Sequence, residues 1–218
     1  MQTPFVIINL KCYEKSIVSA LNFAHISKKI SNESGANICI APPLIELKDV
    51  SKIIPTFSQY VDCFSEGAYT GSVIAKHVKD VGAIGSIINH SERQINFKEI
   101  DNCIQRCNEN NLLSVVCTKN LEETEEIAEL NPDFIAIELP ELIGKKSITK
   151  VNPQIVKDSV SIVNKFSKKT KVICGAGIGD KKDVSEAISL GTHGVIVSNA
   201  IVNSDNVENK IREIVSGL

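Results

Sequence analysis

The chain has 218 residues, 43% of them hydrophobic and 23% charged, with a formal net charge of −2. These values exclude intrinsic disorder, a collagen-like fibre and a coiled coil, and no global field draws in nucleic acid or an anionic membrane. A chain this long buries a large core without disulfides or metals, and it is expected to form one domain over residues 1–218.

In chain order, a short β-branched run recurs ahead of a charged, amphipathic segment. Strands are predicted at Phe5–Asn9, Asn37–Ala41, Ser58–Cys63, Ala83–Ile88, Leu112–Cys117, Phe134–Glu138, Lys171–Cys174 and Gly194–Ser198. Most are nearly all apolar, as parallel strands covered on both faces are. Helices are predicted over Ser16–Ile30, Lys98–Glu109, Leu121–Leu130, Ile155–Phe166, Lys182–Leu190 and Asp205–Val215. The crossover around Ser72–Val81 is short and poorly patterned. Eight units in 218 residues leave about 27 residues each, enough for a strand, a helix and two short loops. That points to an α/β protein, a (β/α)8 TIM barrel near the short end of its size range. Periodicity alone leaves an open doubly wound sheet as the alternative.

The seven cysteines are odd in number, and several lie in apolar stretches such as Asn37-Ile-Cys-Ile-Ala41. They read as reduced, mostly buried thiols of a cytoplasmic protein. The first residues lack the regions of a signal peptide, and no apolar run nears the ~18 residues of a membrane span. Cys103 and Cys107 share a helix face, but no partner pair has metal-finger spacing, so core packing is expected and no metal.

The unusual residues cluster at carboxyl ends of strands, where barrel active sites are built. Asn9 and Lys11 follow the first strand, on one side of it if the strand period holds. Lysines mostly reach solvent, but an ammonium here can also oppose an anion. His90 follows the fourth strand in Asn89-His-Ser-Glu-Arg93. There Ser91 is a candidate helix cap, and Glu92 would sit at the positive end of that helix. A helix N-terminus would disfavour protonation of His90, although many loop histidines simply make ordinary hydrogen bonds. Glu138 closes an apolar strand, where a carboxylate either reaches solvent or has its pKa raised towards that of a general base. Cys174-Gly-Ala-Gly-Ile-Gly-Asp180 lies between a strand and a helix. It fits neither the dinucleotide pattern nor a P-loop, and reads as a tight turn or a phosphate cradle. Ser198 and Asn199 end the last strand among small residues.

Together these blocks resemble triosephosphate isomerase, and the length is similar to that of its compact archaeal branch. The resemblance rests on Asn9-Leu-Lys11, Asn89–Arg93, Glu138-Leu-Pro-Glu-Leu-Ile-Gly144, Gly67-Ala-Tyr-Thr-Gly71, Gly175-Ala-Gly177 and Ser198-Asn199, in the family's order. It implies interconversion of dihydroxyacetone phosphate and D-glyceraldehyde 3-phosphate through an enediolate, in glycolysis and gluconeogenesis, without a cofactor. Glu138 would be the base and neutral His90 the electrophile, roles carried over from the family's well-known pairing. Lys11 would stabilise the enediolate and the phosphate charge, and Asn9 would orient the site. Gly144, Gly175, Gly177, Ser198 and Asn199 would bind phosphate, largely through backbone donors. Ser91, Glu92 and Thr70 would support the site. A lid around Leu139–Lys146 would close over the substrate. The chain departs from the family at Lys145-Lys146, where the hinge usually carries glycine, and at Gly177 and Ser198-Asn199. The family also implies a homo-oligomer, dimer or tetramer, with the Gly67–Gly71 loop at the subunit interface. Another sugar-phosphate enzyme on this barrel, or a non-catalytic phosphometabolite binder, would not need Glu138, His90 and Lys11 together.

Overall fold

The computed structural model describes residues 2–139 and 147–218. The elements run β1 (Phe5–Asn9), α1 (Glu14–Val18), α2 (Ala20–Ser34), β2 (Asn37–Ala41), α3 (Leu47–Ser51), β3 (Phe57–Ser58), α4 (Ala75–Asp80), β4 (Gly85–Ile88), α5 (Phe97–Glu109), β5 (Leu113–Thr118) and α6 (Leu121–Glu129). They continue with β6 (Phe134–Ile137), α7 (Ile148–Val151), α8 (Pro153–Phe166), β7 (Lys171–Cys174), α9 (Lys181–Ser189), β8 (Gly194–Val197), α10 (Asn199–Val202) and α11 (Val207–Val215). All paired strands are parallel, in the order β2-β1-β8-β7-β6-β5-β4-β3. A single parallel bridge between Ile40 and Thr56 joins the two edges. The architecture is the (β/α)8 barrel, not the open sheet.

Side chains alternate between two apolar layers, as the period of two along a strand dictates. Phe5, Ile7, Val115, Cys117, Phe134, Ala136, Ile173 and Ile196 fill the barrel interior. Val6, Ile8, Val116, Ile135, Val172 and Val195 face the helices. Continuing the inward register past each strand end reaches Asn9, Glu138, Gly175 and Ser198. The register that fills the barrel therefore also aims the candidate site residues into its mouth.

Phe5 and Phe134 pack edge to face inside the barrel, with ring centroids 5.1 Å apart. Glycines make room for such rings. A Cβ at Gly85 would stand 2.7 Å from Phe57 Cδ1 and would also strike the Leu113 carbonyl oxygen. A Cβ at Gly194 would meet the Phe5 carbonyl oxygen and ring.

Two elements differ from the sequence reading. The third strand is expected over Ser58–Cys63 but ends at Ser58. There the Ser58 hydroxyl donates to the Tyr60 carbonyl (2.6 Å), and Asp62 turns the chain by accepting the Val73 N–H (2.6 Å). The first helix is split at Ser19, whose φ of −126° leaves the helical region. The weakly patterned third crossover does hold a short helix, α4, over Ala75–Asp80.

Gly85→Ala is expected to lower stability by about 1–3 kcal/mol, because the ring and carbonyl around it must shift. A lower urea midpoint at unchanged slope would show this, and an unchanged midpoint would mean the aromatic layer has slack.

Candidate active site

The mouth of the barrel holds a cavity of about 230 Å³ lined by Asn9, Lys11, His90, Glu138, Gly175, Gly177, Ser198 and Asn199, among others. Residues from five strand ends, far apart in the chain, thus share one hollow. Tyr13, Ile178, Gly179, Ile196 and Ala200 also line it; Ile178 and Gly179 belong to the glycine-rich block after the seventh strand, whereas Tyr13 and Ile196 lie in no motif.

Glu138 follows β6 directly and is only 4% exposed. Its Oε2 has no hydrogen-bond partner among the described residues. Burial raises its pKa from the ordinary 4.5, opposed by the electrostatic influence of His90 and of the Lys11 ammonium. The buried Cys117 thiol hydrogen-bonds to this carboxyl, and burial next to it pushes the thiol well above its usual range. Gly175 stands against the same side chain. A Cβ there would lie 2.6 Å from both Glu138 Cγ and Ile196 Cγ2. A glycine is therefore required at this position for the carboxylate to sit where it does.

His90 is 8% exposed, with Nε2 facing Glu138 Oε2 at 3.4 Å. Its Nδ1 accepts the Glu92 backbone N–H at 3.1 Å. An imidazole nitrogen that accepts carries no proton, so the neutral ring holds its proton on Nε2, towards the cavity. This replaces the helix effect expected from sequence. Residues 91–93 form a turn, and α5 begins only at Phe97. Asn96, not Ser91, is its cap, with Glu99 completing a capping box. The Ser91 hydroxyl is buried without a partner among the described residues.

Lys11 has a positive φ of 49°, so it does not continue the strand period that was expected to align it with Asn9. The Asn9 side chain instead accepts the Lys11 N–H at 3.0 Å. The Gln59 side chain donates to the Lys11 carbonyl at 3.1 Å, fixing the turn from the other side. The Lys11 ammonium pairs with Glu92 at 2.7 Å, a partner that sequence could not name. Glu92 is more than half exposed, so solvent weakens that pair.

The loop after β7 is pinned from three elements. Gly177 has a φ of +68°, a conformation that favours glycine. Asp180 and Asp183 form a capping box on α9, and Asp183 also accepts the Gly179 N–H at 2.8 Å. Lys150 of α7 pairs with Asp183 at 2.6 Å, and Lys210 of α11 donates to the Gly179 carbonyl at 3.2 Å. The Gly179 N–H is thus committed within the protein. The Ser198 hydroxyl is buried without a partner among the described residues.

Thr70 does not line the cavity; it lies exposed in the Gly67–Gly71 loop. Gly144, Lys145, Lys146 and all of the expected lid except Leu139 lie outside the described residues. Cys103 and Cys107 are buried, and no group of three or more potential metal ligands occurs among the described residues.

A parallel barrel with this constellation at its carboxyl-end mouth has the make-up of a barrel isomerase. Residues 4–215 match the family model for triosephosphate isomerase. Proteins of that name are 39% identical in Methanocaldococcus jannaschii, over 96% of this chain and 98% of the relative, and 39% identical in Methanobrevibacter smithii, over the whole of both. The one from Methanothermus fervidus is 35% identical over 99% of each. The chain belongs to the triosephosphate isomerase family, whose members are isomerases.

Burial makes Glu138 bind its proton more tightly in the folded chain than in the unfolded one. Its contribution to stability therefore falls as pH rises from about 4.5 through the raised folded value. Glu138→Gln removes this charge, so its melting temperature relative to the parent is expected to climb across that window. A difference that stays flat with pH would show that the carboxylate is not desolvated.

Proposed function

We propose that the chain interconverts dihydroxyacetone phosphate and D-glyceraldehyde 3-phosphate, as a cytoplasmic, single-domain enzyme of glycolysis and gluconeogenesis. One observation carries the reading: the bare Oε2 of buried Glu138 lies 3.4 Å from His90 Nε2, while His90 Nδ1 is committed to a backbone N–H. A base and a neutral donor therefore stand side by side on the wall of one cavity of about 230 Å³.

In this reading Glu138 takes the proton from the carbon next to the carbonyl. The C–H electron pair becomes the C=C bond of the enediolate, and the carbonyl oxygen receives the charge. Burial strengthens the carboxylate as a base. His90 Nε2–H hydrogen-bonds to that oxygen and moves a proton between the two oxygens. Glu138 then returns its proton to the neighbouring carbon, so atoms and electrons balance without a redox cofactor. Lys11 offsets the negative charge, and Asn9 holds the turn that carries Lys11. Backbone N–H groups at Gly177, Ser198 and Asn199 receive the phosphate, with Gly175 keeping space for the base.

Apolar side chains support association of copies. Phe64 and Tyr69 stack with centroids 4.4 Å apart on the rim, partly exposed, and Leu44 and Ile45, in the short 3-10 turn after β2, are exposed as well. A homodimer or tetramer would cover them.

A coupled assay with glyceraldehyde 3-phosphate tests the reaction. The parent is expected to turn over, and Glu138→Gln to lose at least about 10²-fold in kcat. Binding of triose phosphate without turnover by the folded parent would sink the proposal.

A further inference from the structure

Asn89 immediately precedes His90, is 3% exposed and has a φ of +57°. Its side chain makes three contacts. Nδ2 donates to the Cys117 carbonyl at 3.0 Å and to Glu123 Oε1 at 3.2 Å, and Oδ1 accepts the Ile95 N–H at 3.1 Å. Glu123 is itself held, accepting the Lys119 N–H at 2.8 Å and lying in the first turn of α6.

These bonds have two geometric consequences. The Ile95 bond closes the base of the 90–95 loop, and this loop carries the Glu92 N–H that fixes the proton on His90. The Cys117 bond anchors the loop to the end of β5. The neighbouring carbonyl, that of Thr118, accepts the Glu138 N–H at 2.9 Å. His90 and Glu138 are therefore referenced to adjacent peptide units of the same strand. Asn89 supplies the side-chain link that ties the His90 loop to this strand.

We infer that Asn89 is a positioning residue, setting both the distance from His90 to Glu138 and the imidazole tautomer. A simple turn former at this φ would be satisfied by glycine. The buried amide, with all its contacts directed at β5, α6 and the loop's return, does more than permit the turn. The inference rests on the proposed isomerase reading for its kinetic consequence, but the tautomer can be observed without any substrate.

The test separates the turn from the amide. Asn89→Gly keeps the conformation and removes all three bonds. Asn89→Asp keeps the acceptor for Ile95 but loses the donor, and it sets a carboxylate against Glu123 and the Cys117 carbonyl. Both variants are expected to lower kcat by about 10- to 100-fold, as small misplacements of reacting groups do, with KM changed much less. In 15N spectra of histidine-labelled protein, with His90→Gln identifying the signal, the parent should show one bare and one protonated nitrogen. The Gly variant should show averaging between tautomers. Parent-like kcat and a parent-like His90 signal in Asn89→Gly would overturn the inference, even if its melting temperature falls. If that variant does not fold, Asn89→Asp decides by the same two readouts. A parent without turnover whose His90 signal still responds to Asn89→Gly would sink the isomerase reading and leave the positioning role standing.

Discussion

A carboxylate held away from water at the top of the barrel interior is the constraint around which the mouth is built. Ionised and buried, Glu138 needs compensation; neutral, it would lose its use as a base. The chain meets this with a neutral donor and an ammonium placed near but not on it. The imidazole of His90 stands 3.4 Å away, and the Lys11 ammonium is occupied with Glu92. One oxygen is left unpartnered among the described residues. The consequence reaches the backbone of the next strand, where position 175 has room only for glycine. It reaches the floor of the site too, where the Cys117 thiol lies against the same carboxyl.

The inward register explains why much of this was legible in the sequence. Phe134, Ala136 and Glu138 alternate inward along one strand, as Phe5, Ile7 and Asn9 do along another. A polar residue ending such a series must face the mouth, and the apolar runs fix which residues those are. What stayed hidden depends on contacts between distant segments. Glu92 meets Lys11 across 81 residues, and no local pattern records that distance. Ser91 looked like a cap because serine is a favoured N-cap and Glu92 would suit the positive end of a helix, but the helix starts later, at a box built from Asn96 and Glu99. Asn89 was visible as part of the histidine block, yet its role depends on carbonyls of another strand. The third strand misled for a related reason: Ser58–Cys63 has strand composition, but side-chain bonds to the backbone take it out of the sheet.

Two kinds of support hold the site, and they differ in stiffness. The turns at Lys11 and Asn89 are non-glycine residues at positive φ, each fixed by side-chain amides or carbonyls bonded to backbone. The loop after β7 uses glycine at positive φ and ionic contacts from α7, α9 and α11. The first arrangement keeps a side chain at a set distance from its partner, as acid–base chemistry needs. The second shapes a length of backbone, as an anion site built from N–H groups needs.

The seam between β2 and β3 gives the barrel a direction of weakness. One isolated bridge at Ile40 and Thr56 carries the closure here, and only the β7–β8 contact, paired at Cys174 and Val195, is as sparse. At the upper end of the seam, where a strand would have continued, the Gln59 side chain donates to both the Ala41 and the Lys11 carbonyls. A side-chain amide thus replaces the absent backbone partner and couples the closure of the barrel to the turn that presents Lys11. In the language of local unfolding, the seam is an opening with few bonds to break. Amide hydrogens along it should exchange with solvent ahead of the ladders from β4 to β7, and each such opening would loosen the turn that presents Lys11.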